Sequence, residues 1–115
     1  MTLDERAGLV LAFAHTLFVN GQSTDQTLIA AERLGKFLGL HVSILPRWGE
    51  VLVHAADGDA QITMTVEAVP TNVHMSRVSL AMQALEDLCA GRLAPTAASE
   101  VIATISRAPP APAWL

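Results

Sequence analysis

Three stretches of alternating apolar and polar residues, set off by two turn signals, occupy the middle of the chain and restrict its fold more than any other feature. The clearest is residues 61–69, where Ile62, Met64 and Val66 alternate with Thr63, Thr65 and Glu67. Successive side chains of a strand point to opposite faces, so the pattern predicts a strand with one buried face. Residues 50–55 put Val51 and Val53 on one side and Leu52 and His54 on the other. Asp57-Gly58 between these runs is a tight-hairpin signal. A shorter strand, 42–45, precedes them, and Pro46-Arg47-Trp48-Gly49 reads as the turn that follows it. Together these predict a three-stranded antiparallel meander with one covered face.

Helices flank the meander. Thr2-Leu3-Asp4-Glu5 has the spacing of a capping box, and the acids in this first turn complement the helix dipole. The helix it opens runs to Val19, where Asn20-Gly21 are expected as left-handed stop residues. It is apolar on almost every side, through Leu9, Val10, Leu11, Phe13, Leu17, Phe18 and Val19. Such a helix is buried on more than one face. Ser23 and Gln26 are spaced as a second capping box, and Leu28, Ala31, Leu34 and Leu38 form the inward side of a second helix ending at Gly39. After the strands, Met75, Val78, Met82, Leu85 and Cys89 repeat at helical spacing, and Gly91 ends that helix. Pro95 suits the first turn of a fourth helix, with Ala98, Val101, Ile102 and Ile105 inward. The expected class is α+β, a three-stranded antiparallel meander with helices packed on one face, in the order ααβββαα. The expected organisation is one domain over 1–107 and a proline-rich linker over 108–115.

Composition narrows the function. A chain of 115 residues has room for one core. Only 16% of its residues are charged, which leaves wide uncharged surface for a partner. The net charge is −4 and the 7 basic residues are scattered, which argues against nucleic acid, since phosphate contacts need clustered Lys and Arg. Cys89 is alone, so no intrachain disulfide and no cysteine-based metal site can form. His15, His41, His54 and His74 have no metal-ligand spacing, and neither metal nor cofactor is expected. Residues 1–6 lack the layout of a signal peptide, and the early apolar run 7–14 is far shorter than the roughly 20 residues that span a bilayer.

Several local motifs come in a distinctive order: Asn20-Gly21-Gln22-Ser23-Thr24 before a helix ending Leu38-Gly39-Leu40, then Leu45-Pro46-Arg47-Trp48-Gly49, then Asp57-Gly58. Gly91-Arg92-Leu93-Ala94-Pro95 and the ending Pro109-Pro110-Ala111-Pro112-Ala113-Trp114 follow. In this order the chain resembles the soluble N-terminal domain of the threonine/serine exporter family over nearly its whole length. It departs from that pattern at Val66-Glu67-Ala68, where the family carries an Arg, and in lacking a Tyr in the proline-rich ending. The resemblance implies a cytosolic accessory or gating domain on the inner face of a bacterial inner membrane. Its partner would be a multi-helix portion, in cis or as a separate chain, that exports small amino acids or related acids.

The candidate residues follow from these readings. Ser23, Thr24 and Asp25 stand at a helix start, where free N–H groups suit a substrate carboxylate and equally serve as caps. His54 is a candidate pH sensor that could face His41. Arg47 and Trp48 at a turn, Trp114 near the end, and Leu11 and Phe18 on the over-apolar first helix are candidate partner contacts, the last two for self-association. A Ser23–His54–Asp57 trio would make a small peptide or ester hydrolase, and a free-standing binding or dimerisation module is a third reading.

Overall fold

The computed structural model describes residues 1–47, 49–70 and 73–108. Seven elements follow in the expected order: α1 (Leu3–Val19), α2 (Thr24–Phe37), β1 (His41–Arg47), β2 (Glu50–Asp57), β3 (Ala60–Glu67), α3 (Met75–Cys89) and α4 (Pro95–Arg107). The strands form one antiparallel sheet in the order β1-β2-β3. The proline-rich stretch lies, from Pro109 on, outside the described residues.

The strands are bounded differently from the sequence reading. β1 continues through Pro46 and Arg47, so Pro46 is a strand residue opposite Val51 rather than part of the turn. Proline fits there because β1 is an edge strand, where a missing N–H can face away from the ladder. The second hairpin closes at Asp57 and Ala60, which shifts its two turn residues to Gly58-Asp59. Gly58 has φ +61°, the left-handed geometry that a type II′ turn demands of its first central residue.

The cap of α1 is the expected box. The Glu5 N–H donates to Thr2 Oγ1 at 3.1 Å, and the Thr2 N–H donates to Glu5 Oε1 at 2.9 Å. The backbone N–H of Thr2 on the carboxylate holds Glu5 below its ordinary pKa. The cap of α2 is only half a box. Ser23 Oγ accepts from the Gln26 N–H, but the Ser23 N–H is taken by the neighbouring Gln22 side chain. At the end of α1 only Gly21 is left-handed, while Asn20 keeps φ −96°. The stripe on α3 is also shifted. Val78, Ala81, Ala84, Leu85 and Leu88 are buried, whereas Met75, expected inward, is exposed.

One face of the sheet carries the core. Ile44, Val51, Val53 and Ala55 are buried on it, flanked by Val42, Ile62, Met64 and Val66. Helix α1 packs on β2 and β3, and α2 packs on β1. Helices α3 and α4 then pack against α1 and each other. Helix α1 is thus the centre of the domain, touching both neighbouring strands and all three other helices. This accounts for its apolar circumference: Leu9, Val10, Phe13 and Leu17 are fully buried, and Leu11 and Phe18 are half-buried against the same core. The large apolar side chains that stay open lie instead at Met1, on α2, β1 and α3, and at Val69 and Val73.

The α2–β1 contact depends on a missing side chain. A Cβ on Gly35 would overlap Val42 Cγ2 and stand 3.0 Å from Val42 Cβ. Alanine normally favours a helix interior by about 0.5–1 kcal/mol over glycine. Here the stiff β-branched neighbour reverses that sign. Gly35→Ala is expected to lower stability by about 1–3 kcal/mol, and adding Val42→Ala is expected to restore part of it; a denaturant double-mutant cycle measures both.

Candidate functional site

The last turn of α1 is where most of the polar and open apolar features meet. Asn20 is buried at 3% exposure. Its Nδ2 donates to the Thr16 carbonyl at 2.7 Å, and its own carbonyl accepts from the His74 N–H at 2.9 Å. Its Oδ1 accepts from Arg77 Nη1 at 3.3 Å. Arg77 Nε donates to the Ala108 carbonyl at 2.8 Å. One turn earlier, Thr16 and Ser106 share a 2.8 Å hydroxyl bond, and Ser106 donates to the Ile102 carbonyl. These bonds tie the ends of α1 and α4 to the start of α3. Gly21, at φ +103°, lets Val73 pack within 3.2 Å of where a Cβ would stand.

Beside this seam lies an apolar pocket of about 410 Å³, lined by Phe18, Gly49, Val69 and Pro70, with Arg47 supplying its charge. It brings together two of the contact residues expected from sequence, Phe18 and Arg47. Val69, which lines it, is 53% exposed, and Val73, packed against Gly21, is 69% exposed. The sequence reading missed Val69, Val73, Asn20 and Arg77. Only Asn20-Gly21 as a helix stop hinted at this region. Trp48 and Trp114, the other expected contacts, lie outside the described residues.

The remaining candidates do not come together. Ser23, Thr24 and Asp25 are exposed, and the Ser23 hydroxyl is engaged as the cap of α2. His54 lies on the open face of the sheet with Nδ1 2.8 Å from Thr63 Oγ1. Its partner in β1 is Ser43, and His41 stands opposite Ala56, so the two histidines do not face each other. Asp57 pairs with Arg6 at 2.7 Å, beside the start of α1, whereas Ser23 follows its end. A helix of 17 residues separates them by roughly 25 Å. The Ser23–His54–Asp57 trio therefore does not assemble. Ser23→Ala is expected to cost about 0.5–2 kcal/mol, the value of a cap, in a denaturant melt.

A second, shallower cleft of about 540 Å³ lies between α2 and β1, lined by Glu32, Lys36, Gly39, Leu40, His41 and Val42. It offers charges of both signs. Arg33 and Glu86 pair across α2 and α3, and the guanidinium holds the Glu86 carboxyl below its ordinary range. Among the described residues no group of three or more His, Cys, Asp or Glu side chains is placed to hold a metal ion. No helix of the described residues is long and apolar enough to cross a membrane.

Fold and site define an α+β domain with one bare sheet face and an apolar, arginine-edged pocket at the end of α1. No protein-family model, curated protein or solved structure matches the chain.

Proposed function

We propose that the chain is the cytosolic accessory or gating domain of an exporter of threonine, serine or related small acids. It would act at the inner face of a bacterial inner membrane on a multi-helix portion in cis or on a separate chain. The motif order described above is the source of this reading. The observation that supports it furthest is the open apolar pocket of Phe18, Gly49, Val69 and Pro70 with Arg47 at its edge, a surface suited to a partner. A domain that must press on a membrane-embedded partner needs an open apolar contact surface.

Val69→Asp puts a charge into the pocket at a position exposed enough to leave the fold intact. In cells preloaded with threonine or serine, deleting the gene for this chain is expected to slow efflux severalfold. Restoring the wild-type chain should recover efflux, and restoring Val69→Asp or Arg47→Glu should not. Unchanged efflux on deletion would sink the proposal.

A further inference from the structure

We propose that β3 pairs with β3 of a second copy of this chain, joining two sheets into one continuous six-stranded sheet. This goes beyond the export reading and does not depend on it.

The free edge of β3 follows from its register. Asp57 and Ala60 flank a two-residue turn and so form a hydrogen-bonded pair. Hydrogen-bonded and non-hydrogen-bonded pairs alternate from there, so Ala60, Ile62, Met64 and Val66 direct their backbone groups at β2. The 2.8 Å bond from the Ala68 N–H to the Gly49 carbonyl continues the same parity. The N–H and C=O groups of Gln61, Thr63, Thr65 and Glu67 therefore point away from the sheet. Among the described residues none of them bonds to backbone beyond it.

Edge strands of stable monomers are usually guarded by proline, lysine, a bulge or a covering element. The sheet's other edge has such a guard. By the same alternation Val42, Ile44 and Pro46 face outward on β1, and Pro46 has no N–H to offer. Among the described residues β3 has none of these devices: Ala60–Glu67 reads AQITMTVE, with its only charge at the last position. Ile62, Met64 and Val66 along it remain half-buried.

A second copy fits this edge by symmetry. A two-fold axis through Met64 sets Thr63 opposite Thr65, Gln61 opposite Glu67, and Ile62 opposite Val66. Each outward residue then exchanges both its bonds with its partner, and no like charges face each other. Centring on Thr63 instead would oppose Glu67 to Asp59. The Met64 register also brings the half-buried Ile62, Met64 and Val66 of both copies into one apolar row.

Sedimentation equilibrium of the chain is expected to show a dimer. Thr65→Pro removes one outward N–H per copy without touching the β2 ladder, and is expected to weaken the dimer about tenfold. Thr63→Lys with Thr65→Lys places like charges opposite each other in both symmetric pairs while leaving the backbone intact. It is expected to give monomers with an unchanged far-ultraviolet circular dichroism spectrum, and it decides the matter if the proline variant fails to fold. With Cys89→Ala as background, Met64→Cys should cross-link under mild oxidation, because a facing non-hydrogen-bonded pair lies about 4.5 Å apart between Cα atoms. Thr63→Cys should not. A strict monomer at high concentration, which would leave the edge to some other chain, overturns the proposal. So does a dimer indifferent to the paired lysines, or cross-linking through Thr63→Cys instead.

Discussion

Phe13→Ala is expected to remove about 3–5 kcal/mol of folding free energy. A domain of this kind has only about 5–15 kcal/mol in total, so this one change brings it near unfolding. Phe13 is the largest fully buried side chain, at 2% exposure, and sits midway along the helix that every layer touches. Truncation there leaves a void bordered by elements that cannot close it independently. The sheet is held by its own ladder, and α3 and α4 are held by Arg77 and the Thr16–Ser106 bond. The cost should therefore approach the upper end of the range. Leu11→Ala, at a half-buried position on the same helix, should cost clearly less. Urea melts of the two variants measure the ratio. Equal losses would mean that α1 is not the centre of the core.

The apolar surplus of α1 shows what could be read from sequence and what could not. Periodicity reveals that this helix has more than one buried side, and from sequence the surplus at Leu11 and Phe18 points to a partner. Whether a second face meets a partner or another part of the same chain depends on how α3 and α4 return, and their pattern carries no address. Their arrival on α1 covers much of its circumference, while Phe18 stays half-buried at the open pocket. The sheet was legible because a period of two and a Gly at a turn are local signals. The extent of β1 was not, because proline is a turn signal in general and a strand residue only on an edge, and edge position is a property of the assembled sheet. Likewise, the capping role of Ser23 is local and was one of its two readings. The pocket of Phe18, Arg47, Val69 and Pro70 draws on three separated stretches of chain, and nothing in their spacing predicts that they meet.

Asn20→Ala is expected to cost about 2–4 kcal/mol, the loss of one neutral bond and one bond to a charged partner. The Asn20 amide is buried, donates to Thr16 and accepts from Arg77, so alanine leaves the Thr16 carbonyl and one Arg77 donor without their partners. Arg77 also holds the Ala108 carbonyl, so the loss should propagate to the end of α4. Arg77→Ala, which leaves the Asn20 Oδ1 buried and unpaired, is expected to destabilise through the same junction. The double variant should then cost less than the sum of the two singles by about 0.5–3 kcal/mol, the coupling seen between residues of one network. Hydrogen exchange should show the last turn of α4 losing protection in both single variants while the sheet amides keep theirs. If exchange rises equally in sheet and α4, the junction stabilises the whole domain without specifically holding the exit at Ala108.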